Sequence, residues 1–596
     1  MLRNRVGQLE QKLDGIMSLL TTGQTRQLPT PQPTNSQTIP SSMVTPGPSP
    51  KDQLVPLAPF ESRARHETPD VNSEASRTSI PPIRLSPYEV VEIIPGFNIN
   101  LQEADLALHS YRTFYSPCFP FVPIANHVSA HDLYKSKPVL FRTIMHTVVP
   151  HSAALQTGMK QWFRETIADL VIVKRKFSLE YLQALLVFIS WGDFHYYFQN
   201  QATGLVQLSV GLVADLGLNR QPIIANGTPY SLLNEAVEST KGLQPRPYHT
   251  SDEMRAVLGC FYMTSLISTF FRRMPDFTFT PYLNFCSDIL VKNKEYTTDE
   301  YLVALVQLQS LASRISTTFP THDLILGPPR AFSLPIDMTL SGMRKEIEGV
   351  VRGMPANIHQ KALLQICYHG VVMRLYEPII YMRASTSTDL ASARRTEGLW
   401  KCLQAVLDIF TVFETMSVED LATVPFTVSS HLAFAVVTAT RLAFLEDSDW
   451  DLGLAREALD LANLAKRMEN HFAAAELYEA NREREAGAGG VAAAAQQQQL
   501  PRKRKYIDGE RTTIGTYAEK MRWLGHWLSY KLPMQNINMV DADAMDELRG
   551  AEAAAEPDVG GLAAYPSEFD GAFWQALLNF DGSWGIPDAG PATGQV

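Results

Sequence analysis

A run of twelve residues, CFYMTSLISTFF at 260–271, has no charged side chain and, besides Tyr262, only the small hydroxyl groups of Ser and Thr. A helix formed by this run has almost no polar face. A helix that is apolar on every face must be surrounded by other elements or by lipid. A segment of this length is too short to cross a bilayer, which takes about 20 residues. The run therefore predicts a helix at the centre of a large helical core.

Helical periodicity recurs from about residue 88 to residue 480, whereas strand-like alternation between hairpin turns is not found there. Four apolar stripes have helical spacing: Leu179, Leu182, Leu186 and Ile189; Leu205, Leu208, Leu212 and Leu216; Leu305, Leu308, Ala312, Ile315 and Phe319; and Tyr517, Met521, Leu524 and Leu528. Gly217 follows the second stripe, where glycine commonly ends a helix. We therefore expect an all-α fold, with a large helical domain over 86–485 and a helix at 512–535 that completes it.

The N-terminus has the heptad pattern of a parallel two-stranded coiled coil over residues 1–20. The a and d positions of this pattern are Leu2, Val6, Leu9, Leu13, Ile16 and Leu20. The pattern predicts a dimerisation segment and hence a homodimer. The alternative is an amphipathic helix that packs against the chain's own domain.

Two polar segments separate these parts. Residues 21–85 are rich in Pro, Ser and Thr and are too poor in large apolar side chains to form a core, so they predict a disordered linker. Residues 486–511 predict a low-complexity loop that contains a basic run. The run consists of Arg502, Lys503, Arg504 and Lys505. Such a cluster suits nuclear import or contact with nucleic-acid phosphates, and the alternative is a solvated charge run that caps the next helix.

The C-terminal tail, residues 541–596, is acidic and aromatic. It holds eleven acidic residues against Arg549 alone, and so it accounts for the formal net charge of −10. Acidic residues keep aromatic side chains in solvent until a partner's groove orders them as a short helix. The pattern is typical of an activation segment that binds coactivators; the alternative is a helix that folds back onto the domain. The candidate activation residues are Phe569, Phe573, Trp574, Leu577, Leu578, Phe580 and Trp584.

Motifs of catalysis and metal binding are not found. The sequence has no GxSxG elbow, HExxH pair, phosphate-binding glycine loop or dinucleotide fingerprint, which argues against an enzyme. The five single cysteines include no CxxC and predict neither a disulfide framework nor a zinc site. The nearest candidate for a metal site is a weak cluster of Cys118, His127, His131, His146 and His151. The alternative is that these histidines lie on the surface or form ordinary hydrogen bonds. We therefore expect no catalytic, cofactor or metal residues in this chain. We also expect no membrane partner, because the apolar runs at 181–191 and 433–445 are too short to span a bilayer.

Long blocks of the sequence resemble the middle homology region of fungal zinc-cluster transcription factors. These blocks are SPCFPFVPI (116–124), KPVLFRTIMHTVVP (137–150), the segment 181–222, RAVLGCFYMTSLISTFFRRM (255–274) and YLVALVQLQSLASRI (301–315). In that family a coiled-coil segment follows a DNA-binding module of six cysteines that binds two zinc ions. No residues of this sequence match that module, so its metal and base-contacting residues cannot be carried over.

The resemblance implies a nuclear, dimeric regulator of RNA polymerase II transcription. Its helical domain would mask or expose the activation tail in response to a partner or metabolite, and DNA contact would be made by a module outside this sequence. The alternative is a scaffold or dominant-negative subunit that dimerises with full-length relatives. A third hypothesis, an all-helical enzyme with a buried apolar pocket, requires paired carboxylates on facing helices.

Overall fold

The structure is a computed structural model of the 596-residue chain. It describes residues 90–149, 153–191, 201–221, 248–271, 277–320, 324, 330–354, 360–383, 389–496 and 513–540. All of them belong to one compact unit, Ile83–Val596. Helices dominate this unit, so the predicted all-α class is confirmed.

A short antiparallel hairpin opens the described chain, formed by β1 (Val90–Ile94) and β2 (Phe97–Asn100). Pro95 and Gly96 make the turn, and Gly96 has a φ of 85°, as the third residue of a type II turn requires. The expectation that strand alternation is missing after residue 88 is therefore wrong here. The strands are so short that the alternation is brief, and the Pro-Gly dipeptide was the stronger signal.

The first half of the domain packs around one central helix. Its helices are α1 (Leu101–Ser110), a π-helix (Tyr111–Tyr115), α2 (Ala130–Ser136), α3 (Pro138–Val148), α4 (Ala153–Ile167), a second π-helix (Ala168–Val173), α5 (Leu179–Ser190), α6 (Gln201–Asp215), α7 (Ser251–Phe271), α8 (Pro281–Asn293) and α9 (Asp299–Thr318). Helix α7 contacts α5, α6, α8 and α9, and residues 260–267 are all buried. The predicted central helix is confirmed.

The second half of the domain packs onto this layer through α7 and α9. Its helices are α10 (Leu334–Arg352), α11 (Lys361–Tyr376), a 3-10 helix (Glu377–Tyr381), α12 (Asp389–Thr415), α13 (Val418–Leu421), α14 (Phe426–Ala443), α15 (Leu452–Leu459), α16 (Leu461–Gln496) and α17 (Thr513–Val540). Helix α14 is long and apolar enough to cross a membrane, with a mean hydropathy of 1.2, but 72% of it is buried among the other helices. It is packed as a core helix against α11, α12 and α15.

Helix α6 ends just before the glycine that the sequence predicts as its terminus. Gly217 has a φ of 70°. Its N–H donates to Ala214 O at 3.1 Å, and the next N–H, of Leu218, donates to Val213 O at 2.9 Å. These two bonds define a Schellman motif, which satisfies the last carbonyls of the helix.

The structure corrects the predicted loop at 486–511. Helix α16 continues through Gln496, so the first eleven residues of that loop are helical. The reason is the alanine-rich sequence there, since alanine has the highest helix propensity and can extend a helix through a few glycines. Helix α17 spans Thr513–Val540 and contains the helix predicted at 512–535. It packs along α16 with Leu524 and Leu528 buried.

A buried arginine ties α7 to the start of α9. The Arg255 side chain is fully buried and donates to both carboxylate oxygens of Asp299, from Nε at 2.9 Å and from Nη2 at 3.1 Å. Two further carboxylates, which are partly exposed to solvent, also pair with the Arg255 guanidinium: Glu295 at 2.9 Å and Asp252 at 3.3 Å. The guanidinium also lies 4.5 Å from the centre of the Tyr296 ring. A buried cation needs partners of this kind, because isolated burial would cost several kcal/mol.

Candidate functional site

An open groove of about 390 Å³ runs between α10, α11 and α12. Its lining mixes apolar and charged side chains: Ser341, Arg344, Lys345, Glu348, Val372, Tyr376, Lys401, Gln404, Ala405 and Asp408. Concave sites with an apolar floor and a few convergent polar groups are the usual places where small molecules bind. We therefore take this groove as the candidate effector site of the domain.

The cations of the groove come from α10 and α12. Arg344 Nε donates to Glu348 at 2.7 Å, one helical turn later, and Nη2 donates to the Tyr368 hydroxyl at 3.1 Å. Burial lowers the pKa of Arg344, but Glu348, Tyr368 and Tyr376 together more than compensate, so the pKa is raised overall. Lys401 pairs with Glu397 at 2.8 Å and lies 5.8 Å from the centre of the Tyr376 ring. These contacts hold both cations at the rim with fixed directions.

The acidic side of the groove centres on Asp408. Its carboxylate accepts a hydrogen bond from Gln404 at 2.9 Å and lies 3.2 Å from His369 Nδ1. Burial lowers the pKa of His369, and Asp408 partly offsets this effect. Burial also raises the pKa of Tyr376 to about 12, so its phenol remains protonated and can donate a hydrogen bond. The groove can therefore offer both hydrogen-bond donors and acceptors to a polar ligand.

Two carboxylates on different helices, Glu348 and Asp408, line this groove, which is the arrangement that the enzyme hypothesis required. Each is already engaged: Glu348 by Arg344, and Asp408 by Gln404 and His369. No cysteine, serine–histidine pair or group of three metal-ligating side chains accompanies them in the part of the chain that the structure describes. These contacts leave a groove whose charged rim can bind a polar molecule.

A second pocket, of about 230 Å³, lies beside the first π-helix. It is lined by Thr113, Phe114, Pro117, Cys118, Gln360, Ala362, Leu363, Met416, Asp420 and Thr423. Trp191, one of a cluster of aromatic rings next to this pocket, donates its indole N–H to Thr423 O at 3.1 Å and so joins the two halves of the domain. π-Helices occur frequently at functional sites.

None of the five cysteines forms a disulfide, and four are buried. Burial raises the pKa of Cys260 and of Cys367 to about 12, which leaves these thiols protonated and unreactive. Cys118 is half-buried at the second pocket. Within the described ranges, no set of three or more metal-ligating side chains comes together.

The proposed histidine cluster is not assembled by the residues that the structure describes. Helix α2 begins at Ala130, so His127 and His131 do not share a helix face. His146 is buried on α3 and stacks against Phe188. His151 lies outside the described residues.

The other predicted site residues also lie outside the described part of the chain. This applies to the dimerisation residues (Leu2, Val6, Leu9, Leu13, Ile16 and Leu20), the basic run (Arg502, Lys503, Arg504 and Lys505) and the activation residues (Phe569, Phe573, Trp574, Leu577, Leu578, Phe580 and Trp584). These assignments stay predictions.

Sequence reasoning missed the groove. The available signal was the spacing of charged pairs, since 344 and 348, 397 and 401, and 404 and 408 are each four residues apart. That spacing places partners on one helix face, but it does not reveal that α10 and α12 face each other across α11.

Comparison with known proteins identifies the family to which this chain belongs. The model of the WAR1 C-terminal domain matches residues 73–447, well over half of the chain. All residues that line the two pockets lie within this range. The chain belongs to this family. The family is a regulatory region of fungal transcription factors, and the predicted resemblance to a middle homology region is consistent with it.

Curated relatives of this family member are named as transcription factors. Transcription factor opdL of Penicillium oxalicum is 24% identical over 474 residues, which cover 79% of this chain and 75% of the relative. Transcription factor himD of Aspergillus japonicus is 26% identical over 296 residues, 50% of this chain and 48% of the relative. Transcriptional regulator WAR1 of Candida albicans is 22% identical over 400 residues, 65% of this chain and 40% of the relative.

The chain thus spans three quarters of the first relative and less than half of the other two. No solved structure matches the chain. The family and the relatives are transcription regulators and not enzymes, which supports the same broad class for this chain.

Proposed function

We propose that this protein is a dimeric fungal regulator of RNA polymerase II transcription, and that its helical domain controls an acidic activation tail. The observation that carries the proposal is the family match over 73–447, together with relatives that are named as transcription factors. The groove between α10, α11 and α12 supports a regulatory role, because its charged and hydrogen-bonding side chains can hold a small polar molecule.

The dimer interface of this proposal is the heptad seam of residues 1–20. A coiled coil of three heptads is weak alone, since isolated helices need roughly 12–15 residues or more to form and Gly7 and Gly15 each cost about 1 kcal/mol. The residues Arg502 to Lys505 would direct the protein to the nucleus. Sequence-specific DNA contact would belong to a module outside this sequence.

Transcriptional output is assigned to residues 541–596. Long-range attraction between acids and a coactivator is screened by salt, whereas aromatic side chains supply the buried contact area that dominates affinity. We therefore expect aromatic residues of the tail to matter more than its acids.

A reporter assay tests this assignment directly. Residues 541–596, fused to an unrelated DNA-binding module, should activate transcription, and the triple variant Phe573→Ala, Trp574→Ala and Leu577→Ala should remove most of that activity. A matched variant in which Glu568 and Asp570 become Gln and Asn should retain most of it. Loss of activity in the second variant but not in the first would contradict the proposal.

A further inference from the structure

The second π-helix ends in an exposed loop that combines apolar and basic side chains. We name residues 172–177, IVKRKF, the basic-apolar loop; all six are exposed. Ile172 is 62% exposed, Val173 72% and Phe177 41%. Three apolar side chains beside three consecutive cations are unusual on a protein surface, which normally scatters its apolar residues singly.

The backbone of this loop is fixed and locally strained. Lys174 N–H donates to Asp169 O at 2.8 Å, and Lys176 N–H donates to Leu170 O at 2.9 Å. Arg175, between them, has a φ of 52°, a left-handed conformation that costs a residue with a side chain about 1–2 kcal/mol. Glycine would adopt it without strain. The sequence instead places a cation at the tip.

Two of the three cations have no ionic partner within the residues that the structure describes. Lys174 Nζ lies 2.6 Å from Asp169, but no carboxylate of the described chain comes within ion-pair distance of Arg175 or Lys176. The loop therefore presents two uncompensated positive charges and three apolar side chains on one ordered protrusion. Its complement is a segment that is both acidic and aromatic.

We propose that the basic-apolar loop is the docking site for this chain's own acidic aromatic tail. The tail holds eleven acids and one arginine, and residues 565–585 alternate acids with Phe, Trp and Leu. Its acids would face Arg175 and Lys176, while its aromatic rings would cover Ile172 and Val173. A duplex DNA occupant fits less well, because phosphate contacts make no use of exposed apolar side chains.

The length of the tail allows this contact. Helix α17 ends at Val540, and about 25 residues separate it from Tyr565. Extended at ~3.4 Å per residue, they span roughly 85 Å, whereas a domain of this size has a radius of gyration of about 22 Å. Tethering gives an effective concentration in the millimolar range. A docking site with an intrinsic Kd of about 0.1 mM would then be about 90% occupied.

The docking rests on the observed loop, but its consequence for transcription rests on the proposed function. If the tail activates transcription, a docked tail would be masked, and the helical domain would gain a specific way to silence it. Hydrogen exchange of the full chain tests the docking by itself, and the tail-fusion reporter tests activation by itself, so the two failures are distinguishable.

The test compares three full-length proteins by hydrogen exchange and mass spectrometry. They are the natural chain, the variant Lys174→Gln, Arg175→Gln and Lys176→Gln, and a control, Lys292→Gln and Lys294→Gln. The control removes two exposed cations at the end of α8, where Lys294 also has a left-handed backbone conformation, with a φ of 47°. The neighbouring residues of the chain include no exposed large apolar side chain.

We expect peptides from 565–585 to exchange about tenfold faster in the loop variant than in the natural chain, and the control to match the natural chain. Raising the salt concentration should reduce the protection of the natural chain, because the exposed charges are screened. Equal exchange in the natural chain and the loop variant would overturn the proposal.

A photo-crosslinker placed at position 173 of the full chain provides a second readout that keeps the loop's cations. A crosslink to residues 565–585 of the same chain supports the proposal. A crosslink to another part of the domain, to a second copy or to an added DNA duplex overturns it.

Discussion

Replacing Asp299 by Asn is expected to destabilise the helical domain by about 3 kcal/mol. The Asp299 side chain is 1% exposed and accepts two hydrogen bonds from the fully buried Arg255. The amide keeps the shape of the carboxylate but removes its charge and turns one acceptor into a donor. Breaking a buried ion pair costs about 3–5 kcal/mol. The lower value applies because Glu295 and Asp252 still contact the guanidinium.

Glu295→Gln is the matched control, because it removes a charge from the same arginine. The Glu295 side chain is 50% exposed, so water screens the pair and the loss should stay below about 1 kcal/mol. Thermal unfolding of the full chain measures both variants. With an unfolding entropy of about 2.1 cal/mol/K per residue, Asp299→Asn should lower the Tm by about 3 °C over residues 90–540, and Glu295→Gln by less than about 1 °C. Equal shifts in the two variants would refute the argument from burial.

Three further outcomes are expected. Burial lowers the pKa of His431 to about 3, and the positive charge of Arg374 contributes to this shift. The unfolded chain has a histidine pKa of about 6.5 and therefore gains a proton at a higher pH than the folded chain. The free energy of unfolding should consequently fall by up to about 1.4 kcal/mol per pH unit as the pH drops below about 6.5. His431→Gln should flatten this part of a stability-against-pH curve, and an unchanged slope would assign it to other groups. Replacing Leu9 and Leu13 with Ala should shift sedimentation of the full chain toward monomer, since each lost leucine contact typically costs about 2–5 kcal/mol; an unchanged dimer would place the interface elsewhere. Mobility-shift titration of residues 1–596 should show weak, salt-sensitive and nonspecific DNA binding, with a Kd near 10⁻⁴–10⁻⁶ M. Nanomolar binding to one sequence would contradict the proposal that a module outside this sequence makes the specific DNA contact.

Periodicity in the sequence predicted the helices whose burial is one-sided or complete. The stripe from Leu205 to Leu216 and its terminal Gly217 have the expected helical structure and helix end, and 260–267 lies in the core. These features depend on local spacing, which a sequence displays directly. The hairpin at 90–100 was missed because four- and five-residue strands carry too little alternation to be distinguished from a helix turn.

Both candidate interaction sites depend on features that spacing does not encode. Arg344 and Asp408 are 64 positions apart in sequence and share a groove only because α10 and α12 pack on α11. The basic-apolar loop is visible in the sequence as IVKRKF, but the sequence does not show whether its apolar side chains lie in the core or in solvent. Its exposure follows from the π-helix and from the left-handed Arg175.

We expect this chain to change transcription when it is held at a promoter, and we expect its helical domain to restrain its tail. The most direct measurement is reporter transcript level when residues 1–596 are fused to an unrelated DNA-binding module, with and without Lys174→Gln, Arg175→Gln and Lys176→Gln. We expect transcription above that of the module alone, and a further increase in the loop variant that disappears when Phe573, Trp574 and Leu577 are replaced with Ala. Transcript levels equal to those of the module alone in every fusion would contradict this expectation.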